Sequence, residues 1–302
     1  NIRMPIKKTN KELLLDFIDS VKDKVSPQTQ KTYLQISNTL PFNVLTSQPT
    51  IIKKLNELYK NPNTKALYLN MIILVRRHNK DETDKLIKFR NSLREEIVTL
   101  RKEKMSETKN ELPSYNELLG KLNEMKGINY IINYLFVKHG VRNKDVNLMF
   151  VSKIPKDKQD ENYLTHSKSK AILDINDYKT DKTFGSKSII ITDKRFLQEL
   201  KDLKLKDGEY LISKKNGDKL KISSFNERIL NMSIDKLGEA KIFKVLIAEL
   251  LDKKDFKKIE ELVSSRGTSI STIMKSYNIY NNGDEEKKNT ILKEEVKENI
   301  ED

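Results

Sequence analysis

Cysteine is absent from the 302 residues of this sequence. That absence excludes disulfide bonds and thiolate metal sites. The three histidines, His78, His139 and His166, do not lie at a spacing typical of metal ligands. The sequence also lacks a glycine-rich phosphate-binding loop and an acidic metal cluster. We therefore expect a protein that works without a cofactor, a metal or a bound nucleotide.

Long apolar runs are also missing. No stretch reaches the roughly 18 apolar residues that a membrane-spanning helix needs. The first residues lack the charged, apolar and small-residue pattern of a signal peptide. Hydrophobic residues make up 36% and charged residues 34% of the chain, a polar balance that still allows a folded core. We therefore expect an intracellular protein without a membrane partner, long enough for two ordinary domains.

Acidic residues are fewer than basic residues before the C-terminal segment. The formal net charge is +14, whereas residues 281–302 hold eight acidic residues and four lysines. Such a positive surplus predicts a polyanionic partner, because each lysine or arginine that docks on a phosphate releases counterions. The alternative is a solvated surface typical of a lysine- and asparagine-rich proteome. The acidic segment 281–302 favours an interaction tail or a self-masking tail.

The first hundred residues predict helices only. Ser26-Pro27 is a typical helix start. Apolar residues recur at intervals of three and four from Leu86 to Leu100, which predicts one face of a long helix. This pattern fades into residues 106–113, the clearest linker in the sequence. The sequence therefore predicts a helical domain over residues 1–107.

Residues 108–280 predict a second domain of mixed structure. Ser114 and Glu117 form a capping-box pattern, and an apolar helix over 128–140 ends at a glycine. Three short β-branched segments follow: VNLMFVSK, KAILDIND and SKSIIITD. We predict that they form a small three-stranded antiparallel sheet with a hairpin between the second and third strands. Helices are expected again from residue 223, so the fold class is mainly α, with an α+β second domain.

Two polar motifs in the second domain could bind or protonate a phosphate group. Arg142 follows the apolar helix, and Asp145, three residues later, could hold its guanidinium toward a phosphate. The alternative is a surface ion pair. Lys179, at the predicted hairpin tip, could protonate a leaving oxygen. A solvated turn is the ordinary alternative for Lys179.

Two later segments complete the set of candidate residues. Lys241 and Lys244 lie three apart on an apolar helix, where cations favour an anion or extend their ammonium groups to water. Tyr277 follows Thr268 by nine residues in the last predicted helix. A tyrosine can attack a phosphodiester if cations neutralise the developing charge. A core or surface tyrosine is the alternative.

In order and spacing, these motifs resemble the tyrosine recombinases, the integrase family of DNA strand-exchange enzymes. GVRNKD resembles the family's first motif, which implies that Arg142 is the catalytic arginine and Asp145 its supporting acid. YKT implies Lys179 as the hairpin lysine. ELVSSRGTSISTIMKSY resembles the last motif, with Thr268 at the position of the family's histidine or tryptophan and Tyr277 as the nucleophile. TQKTYLQISNTL resembles the first helices of the core-binding domain.

The chain departs from the family pattern at two motifs. Lys241-Ile-Phe-Lys244 stands where the family has His-x-x-Arg, so Lys244 keeps the charge and loses the bidentate fork. Thr268 donates one hydrogen bond but is not a titrating base. Arg266 is a candidate to supply a further guanidinium to the same phosphate.

The resemblance implies an N-terminal core-binding domain over 1–107, a catalytic domain over 108–280 and a tail over 281–302. It implies a double-stranded DNA partner, a homo-oligomer on DNA that is a tetramer in the family, and a 3′-phosphotyrosine intermediate. The alternatives are a catalytically degenerate member that acts as a structural or regulatory DNA-binding protein, and a helical interaction protein. A DNA-containing compartment (nucleus, cytoplasm or virion) and an AT-rich viral or mobile genome are expected.

Overall fold

A computed structural model describes residues 8–21, 27–157, 161–178 and 184–277, with the backbone alone for residues 27, 28, 102, 105–110 and 275–277. The chain divides into two compact units, residues 1–106 and residues 107–302. The acidic tail, Ser26 and Lys179 lie outside the described residues. No helix in the described part of the chain combines the length and apolarity that crossing a bilayer requires.

The described part of the N-terminal unit is helical, as its apolar periodicity predicts. Its helices are α1 (Asn10–Val21), α2 (Pro27–Thr39), α3 (Gln48–Leu58) and α4 (Pro62–His78), together with α5 (Asp84–Glu111), whose residues 107–111 belong to the second unit. The side chains of Ser47 and Asn61 cap α3 and α4, and a proline follows each cap. The helices pack apolar faces into one core, in which Leu14, Ile51 and Leu69 are fully buried.

The C-terminal unit is built around one apolar helix. Its helices are α6 (Tyr115–Glu124), α7 (Gly127–His139), α8 (Lys194–Asp202), α9 (Ile222–Met232), α10 (Gly238–Asp252), α11 (Phe256–Arg266) and α12 (Ile270–Tyr277). All eight residues over 130–137 of α7 are buried. A helix that is apolar on every side must be enclosed, and α6, α8, α9 and α10 all pack against α7.

Gly140 ends α7 in the left-handed conformation, with φ 58°. A Cβ atom at this position would lie 2.6 Å from the ring of Phe243 on α10. Glycine is therefore required here for both its backbone conformation and the close approach of α10. This arrangement fixes the point at which the chain leaves α7 and enters the segment that carries Arg142.

The predicted three-stranded antiparallel sheet was wrong: the described residues form a four-stranded mixed sheet. The strands are β1 (Leu148–Phe150), β2 (Asn162–His166), β3 (Ala171–Ile175) and β4 (Lys187–Ile191). They lie in the order β1-β2-β3-β4, with β1 parallel to β2 and the other neighbours antiparallel. The predicted hairpin is present as β3 and β4, with Leu173 opposite Ile189.

The missed strand is β2, whose sequence NYLTH holds few β-branched residues. Its strand character comes from pairing on both sides and from the buried amide of Asn162. This amide donates to the carbonyls of Lys144 and Asp177, at 3.1 and 3.0 Å, and accepts from the backbone N–H groups of Asn176 and Asp177. Such non-local bonds leave no periodic signal in the sequence.

The free edge of β1 is covered by residues 208–211. The Phe150 N–H donates to the Glu209 carbonyl at 2.7 Å, and the Leu211 N–H donates to the Leu148 carbonyl at 2.8 Å. The chain then turns at Gly217, where φ is 86°. An antiparallel bridge between Ser213 and Lys219 flanks this turn.

Candidate active site

Arg142 leaves the end of α7 and opens a one-turn 3-10 helix, Asn143–Val146. Its side chain is partly buried. The guanidinium Nη1 donates to the backbone carbonyl of Arg266, the last residue of α11. The structure therefore brings two predicted site residues together through a backbone contact across 124 positions of the sequence.

Asp145 is fully buried on the same short helix, with 0% exposure. Its Oδ2 accepts from the backbone N–H of Arg142 at 3.2 Å and from the Nζ of Lys187 at 2.9 Å. Its Oδ1 is buried, and no hydrogen-bond partner for it is found among the described residues. A buried carboxylate is costly unless a cation compensates it, so Asp145 requires a cation beside it.

Lys187, the first residue of β4, is the cation that compensates Asp145. Its side chain is 12% exposed. Nζ also donates to the Ser265 carbonyl at 2.5 Å and lies 4.2 Å from the centre of the Tyr178 ring. Burial lowers the pKa of Lys187 below its usual range, Arg142 and Arg266 lower it further, and Asp145 opposes the shift.

Sequence reasoning missed Lys187, although the period of the strand contains a signal. In β4, Lys187 shares a face with Ile189 and Ile191, which are both buried, whereas Ser188 and Ile190 between them are exposed. Alternate residues of a strand point to opposite faces. A lysine in the buried register of a strand predicts an internal anionic or carbonyl partner.

Arg266 is almost completely buried, at 1% exposure. Its Nη1 donates to the Gly140 carbonyl, its Nη2 donates to Glu239 at 2.7 Å, and its guanidinium lies 3.9 Å from the centre of the Phe243 ring. These contacts join the ends of α7 and α11 to the start of α10. They favour a supporting role for Arg266 over direct phosphate binding.

The carboxyl end of α11 is the meeting point of these side chains. Lys187 and Arg142 bond to successive carbonyls, those of Ser265 and Arg266. The negative end of a helix dipole favours such cations. Gly267 then turns the chain in the left-handed conformation, with φ 57°, and the partly buried Thr268 donates its N–H to the Val263 carbonyl at 3.2 Å. The turn leads directly into α12.

Lys241 and Lys244 lie on α10, which packs against both α11 and α12. Lys241 is exposed, and Lys244 is partly buried. Two other residues of α10, Glu239 and Phe243, contact the Arg266 guanidinium. The helix of the predicted phosphate-binding lysines is therefore attached to the cluster at the end of α11.

Two predicted site residues are not fully covered by the described part of the chain. Lys179 lies outside the described residues. Tyr277 is the last residue of α12, and its side chain is outside the described part of the chain. The approach of its hydroxyl to Arg142 therefore stays a prediction.

The described cluster combines three cationic side chains, Arg142, Lys187 and Arg266, with the carboxylates of Asp145 and Glu239. It therefore holds one more positive than negative charge. Arg142 is the more accessible of the two arginines, because Arg266 is 1% exposed and Arg142 is partly buried. An anion such as a phosphate is favoured beside Arg142 on these grounds.

Comparisons with known proteins add little to this geometry. No family model and no curated protein matches the chain. Among solved structures, it is similar to the crystal structure of XerA recombinase, with 12% sequence identity and a TM-score of 0.37 over 94% of this chain and 98% of that chain. A likeness of this strength carries no argument about activity.

Proposed function

We propose that this chain is a DNA-binding tyrosine recombinase that cleaves and rejoins DNA through a 3′-phosphotyrosine. The observation that supports it is the cluster at the end of α11, where Arg142, Asp145 and Lys187 meet beside the turn that leads to the helix of Tyr277. Cations held next to a potential nucleophile are the arrangement that phosphoryl transfer requires.

In the proposed reaction, Arg142 and Lys244 bind the non-bridging oxygens of the scissile phosphate. A guanidinium has five donors, so a bond to the Arg266 carbonyl is compatible with phosphate binding. Thr268 adds one hydroxyl donor, and Asp145, Lys241 and Arg266 support these groups. The two buried members, Asp145 and Arg266, thereby keep structural roles, whereas the partly buried Arg142, Lys244 and Thr268 contact the phosphate.

The phenol oxygen of Tyr277 attacks phosphorus and releases its proton to water. The bond from phosphorus to the 5′ oxygen breaks, and Lys179 protonates that oxygen. The 5′ hydroxyl of a second DNA end then attacks the phosphotyrosine, restores the phosphodiester and releases the phenol. The chain is proposed to act in a DNA-containing compartment as a homo-oligomer on double-stranded DNA.

A second candidate function is DNA binding without catalysis. Two sequence features favour it: Lys244 lacks the bidentate geometry of an arginine, and Thr268 lacks a titrating ring. The donors of Lys187 and Arg266 are also committed to internal acceptors. A protein of this kind would bind duplex DNA with a steep salt dependence and form no covalent adduct.

A nicked duplex that traps the covalent intermediate separates the two functions. We expect wild-type protein to give a DNA adduct that resists denaturation, and Tyr277→Phe to give none. Tyr280→Phe is the matched control, because it removes a phenol three positions away and should leave the adduct unchanged. An adduct in Tyr277→Phe, or none in the wild type despite duplex binding, would contradict the recombinase proposal.

A further inference from the structure

We propose that Lys187 is a positioning residue that holds the end of α11, and therefore the start of α12, against the segment that carries Arg142. The inference deepens the proposed function and rests on it for its catalytic consequence. The structural half, that Lys187 holds the end of α11, depends only on described contacts. The catalytic half, its effect on rate, depends on the proposed function, so the two can fail separately.

Three elements that are distant in the sequence meet at the ammonium group of Lys187. The lysine begins β4, Asp145 lies in the short helix after α7, and Ser265 lies in the last turn of α11. Nζ is 2.9 Å from the carboxylate and 2.5 Å from the carbonyl, and the Tyr178 ring covers a further side at 4.2 Å. The ammonium group is therefore surrounded by a carboxylate, a backbone carbonyl and an aromatic ring.

Lys187 also controls the segment that carries Arg142. The Oδ2 atom that it binds is the atom that accepts the Arg142 backbone N–H. Asp145 is 0% exposed, so without the ammonium its buried charge would be uncompensated and the carboxylate would be displaced. Such a displacement weakens the bond that shapes the backbone at Arg142.

Lys187 also binds the end of α11. Together, Lys187 and Arg142 donate hydrogen bonds to two successive backbone carbonyls there. Three positions separate Arg266 from Ser269, and α12 follows from Ile270 to Tyr277. A displacement of the end of α11 therefore passes to the helix of the proposed nucleophile. Because attack needs reacting atoms about 3–3.5 Å apart, a shift on the order of 1 Å costs about 100-fold in rate.

The kinetic test compares Lys187→Met with Lys187→Arg. On the nicked substrate, we expect Lys187→Met to slow adduct formation about 100-fold, with duplex affinity little changed. Lys187→Arg keeps a cation that can bind Asp145 and the Ser265 carbonyl, so it should restore a substantial part of the rate. Lys194→Met, at an exposed lysine that begins α8, is the matched control and should match the wild type.

The same variants test whether Lys187 is instead a proton donor. An arginine side chain in a protein does not give up its proton. If Lys187 were a proton donor, Lys187→Arg would therefore be as slow as Lys187→Met. If the substrate carries sulfur at the bridging 5′ position, the leaving thiolate needs no proton. For a proton donor, this substrate would therefore restore the rate of adduct formation in Lys187→Met. Either result overturns the positioning role.

A readout that needs no catalysis tests the structural half. Amide hydrogen exchange at Gly267 and Thr268 reports the turn after α11, since their N–H groups bond to the Ser264 and Val263 carbonyls. We expect Lys187→Met to speed exchange at these two amides about tenfold, and Lys187→Arg to do so less. Unchanged exchange overturns the inference. If exchange responds and the wild type forms no adduct, the proposed recombinase function fails and the positioning of α11 stands.

Discussion

Arg76 in the N-terminal unit and Arg266 in the C-terminal unit are both almost fully buried, at 6% and 1% exposure, but their surroundings differ. Arg76 donates to three backbone carbonyls, those of Val44, Thr46 and Glu82, at 2.8 to 3.0 Å. We find no carboxylate paired with it in the described part of the chain. Arg266 pairs with Glu239 and lies in a cluster with further cations.

The difference separates two uses of a buried cation. Arg76 satisfies the carbonyls of two loops that connect helices. At the end of α11, by contrast, Arg142 and Lys187 bond to successive carbonyls while Asp145 compensates Lys187. Capping the end of one helix does not require a cluster with surplus positive charge that includes the partly buried Arg142. We therefore propose the site at the end of α11.

Removal of each buried arginine should give the largest contrast between the units. Arg266→Met leaves the Glu239 carboxylate and the Gly140 carbonyl without their donor, so we expect a loss of about 3–5 kcal/mol in the free energy of unfolding. Arg76→Met should cost about 2–3 kcal/mol through its three carbonyls. Urea unfolding followed by circular dichroism measures both losses.

A second substitution sharpens this contrast. Glu239→Gln should recover part of the loss in Arg266→Met, because it removes the uncompensated charge. The same substitution should have no effect on Arg76→Met, since the two sites share no partner. If Glu239→Gln rescued neither variant, or rescued both, the two arginines would not differ in the way described.

The pair of Lys187 and Asp145 should show a smaller, coupled effect. Each single substitution, Lys187→Met or Asp145→Asn, leaves one buried partner unpaired, so the double variant should lose less than the sum of the two. We expect a coupling of about 1–3 kcal/mol from a double-mutant cycle of unfolding free energies. The exposed Lys53–Glu57 pair in the N-terminal unit, with an N–O separation of 3.9 Å, is the control and should show no coupling beyond experimental error. Equal coupling in both pairs would refute the contrast.

A separate, pH-dependent effect is expected at His139, the last residue of α7. Burial lowers the pKa of His139 to about 4 from its model-peptide value of 6.5, with the charges of Lys258 and Lys138 contributing. The unfolded chain takes up this proton as the pH falls below 6.5, whereas the folded chain resists until about pH 4. The stability that His139 contributes is therefore complete above pH 6.5 and is lost as the pH falls through 4.

Thermal unfolding between pH 7 and pH 4 checks this expectation. The melting temperature of His139→Gln should fall less over this range than that of the wild type, because glutamine does not titrate. An identical pH dependence in both proteins would show that His139 is not held in its neutral form.

The features that sequence reasoning found are those whose signals are local. The capping box of α6 is present, with the Ser114 N–H donating to Glu117 at 2.7 Å, and Gly140 ends α7 as its position predicts. Both signals lie within a few residues of the structure they specify. The helices of both units follow from apolar periodicity in the same way.

The features that sequence reasoning missed depend on contacts between distant segments. β2 forms because β1 and β3 pair with it, and the parallel pairing of β1 is not encoded in the five residues of NYLTH. Lys187 was missed because its partners, Asp145 and Ser265, lie 42 and 78 positions away. Pairings of this kind depend on the completed fold and leave only the period-2 burial of β4 as a trace.

Identification of the amino acid that is linked to DNA tests the central proposal most directly. Trypsin digestion of the trapped complex should release a peptide over residues 276–287, which contains both Tyr277 and Tyr280. Fragmentation in the mass spectrometer then locates the nucleotide remnant. We predict that it lies on Tyr277, beside the cations at the end of α11. A remnant on Tyr280, or duplex binding with no linked peptide at all, would contradict the account.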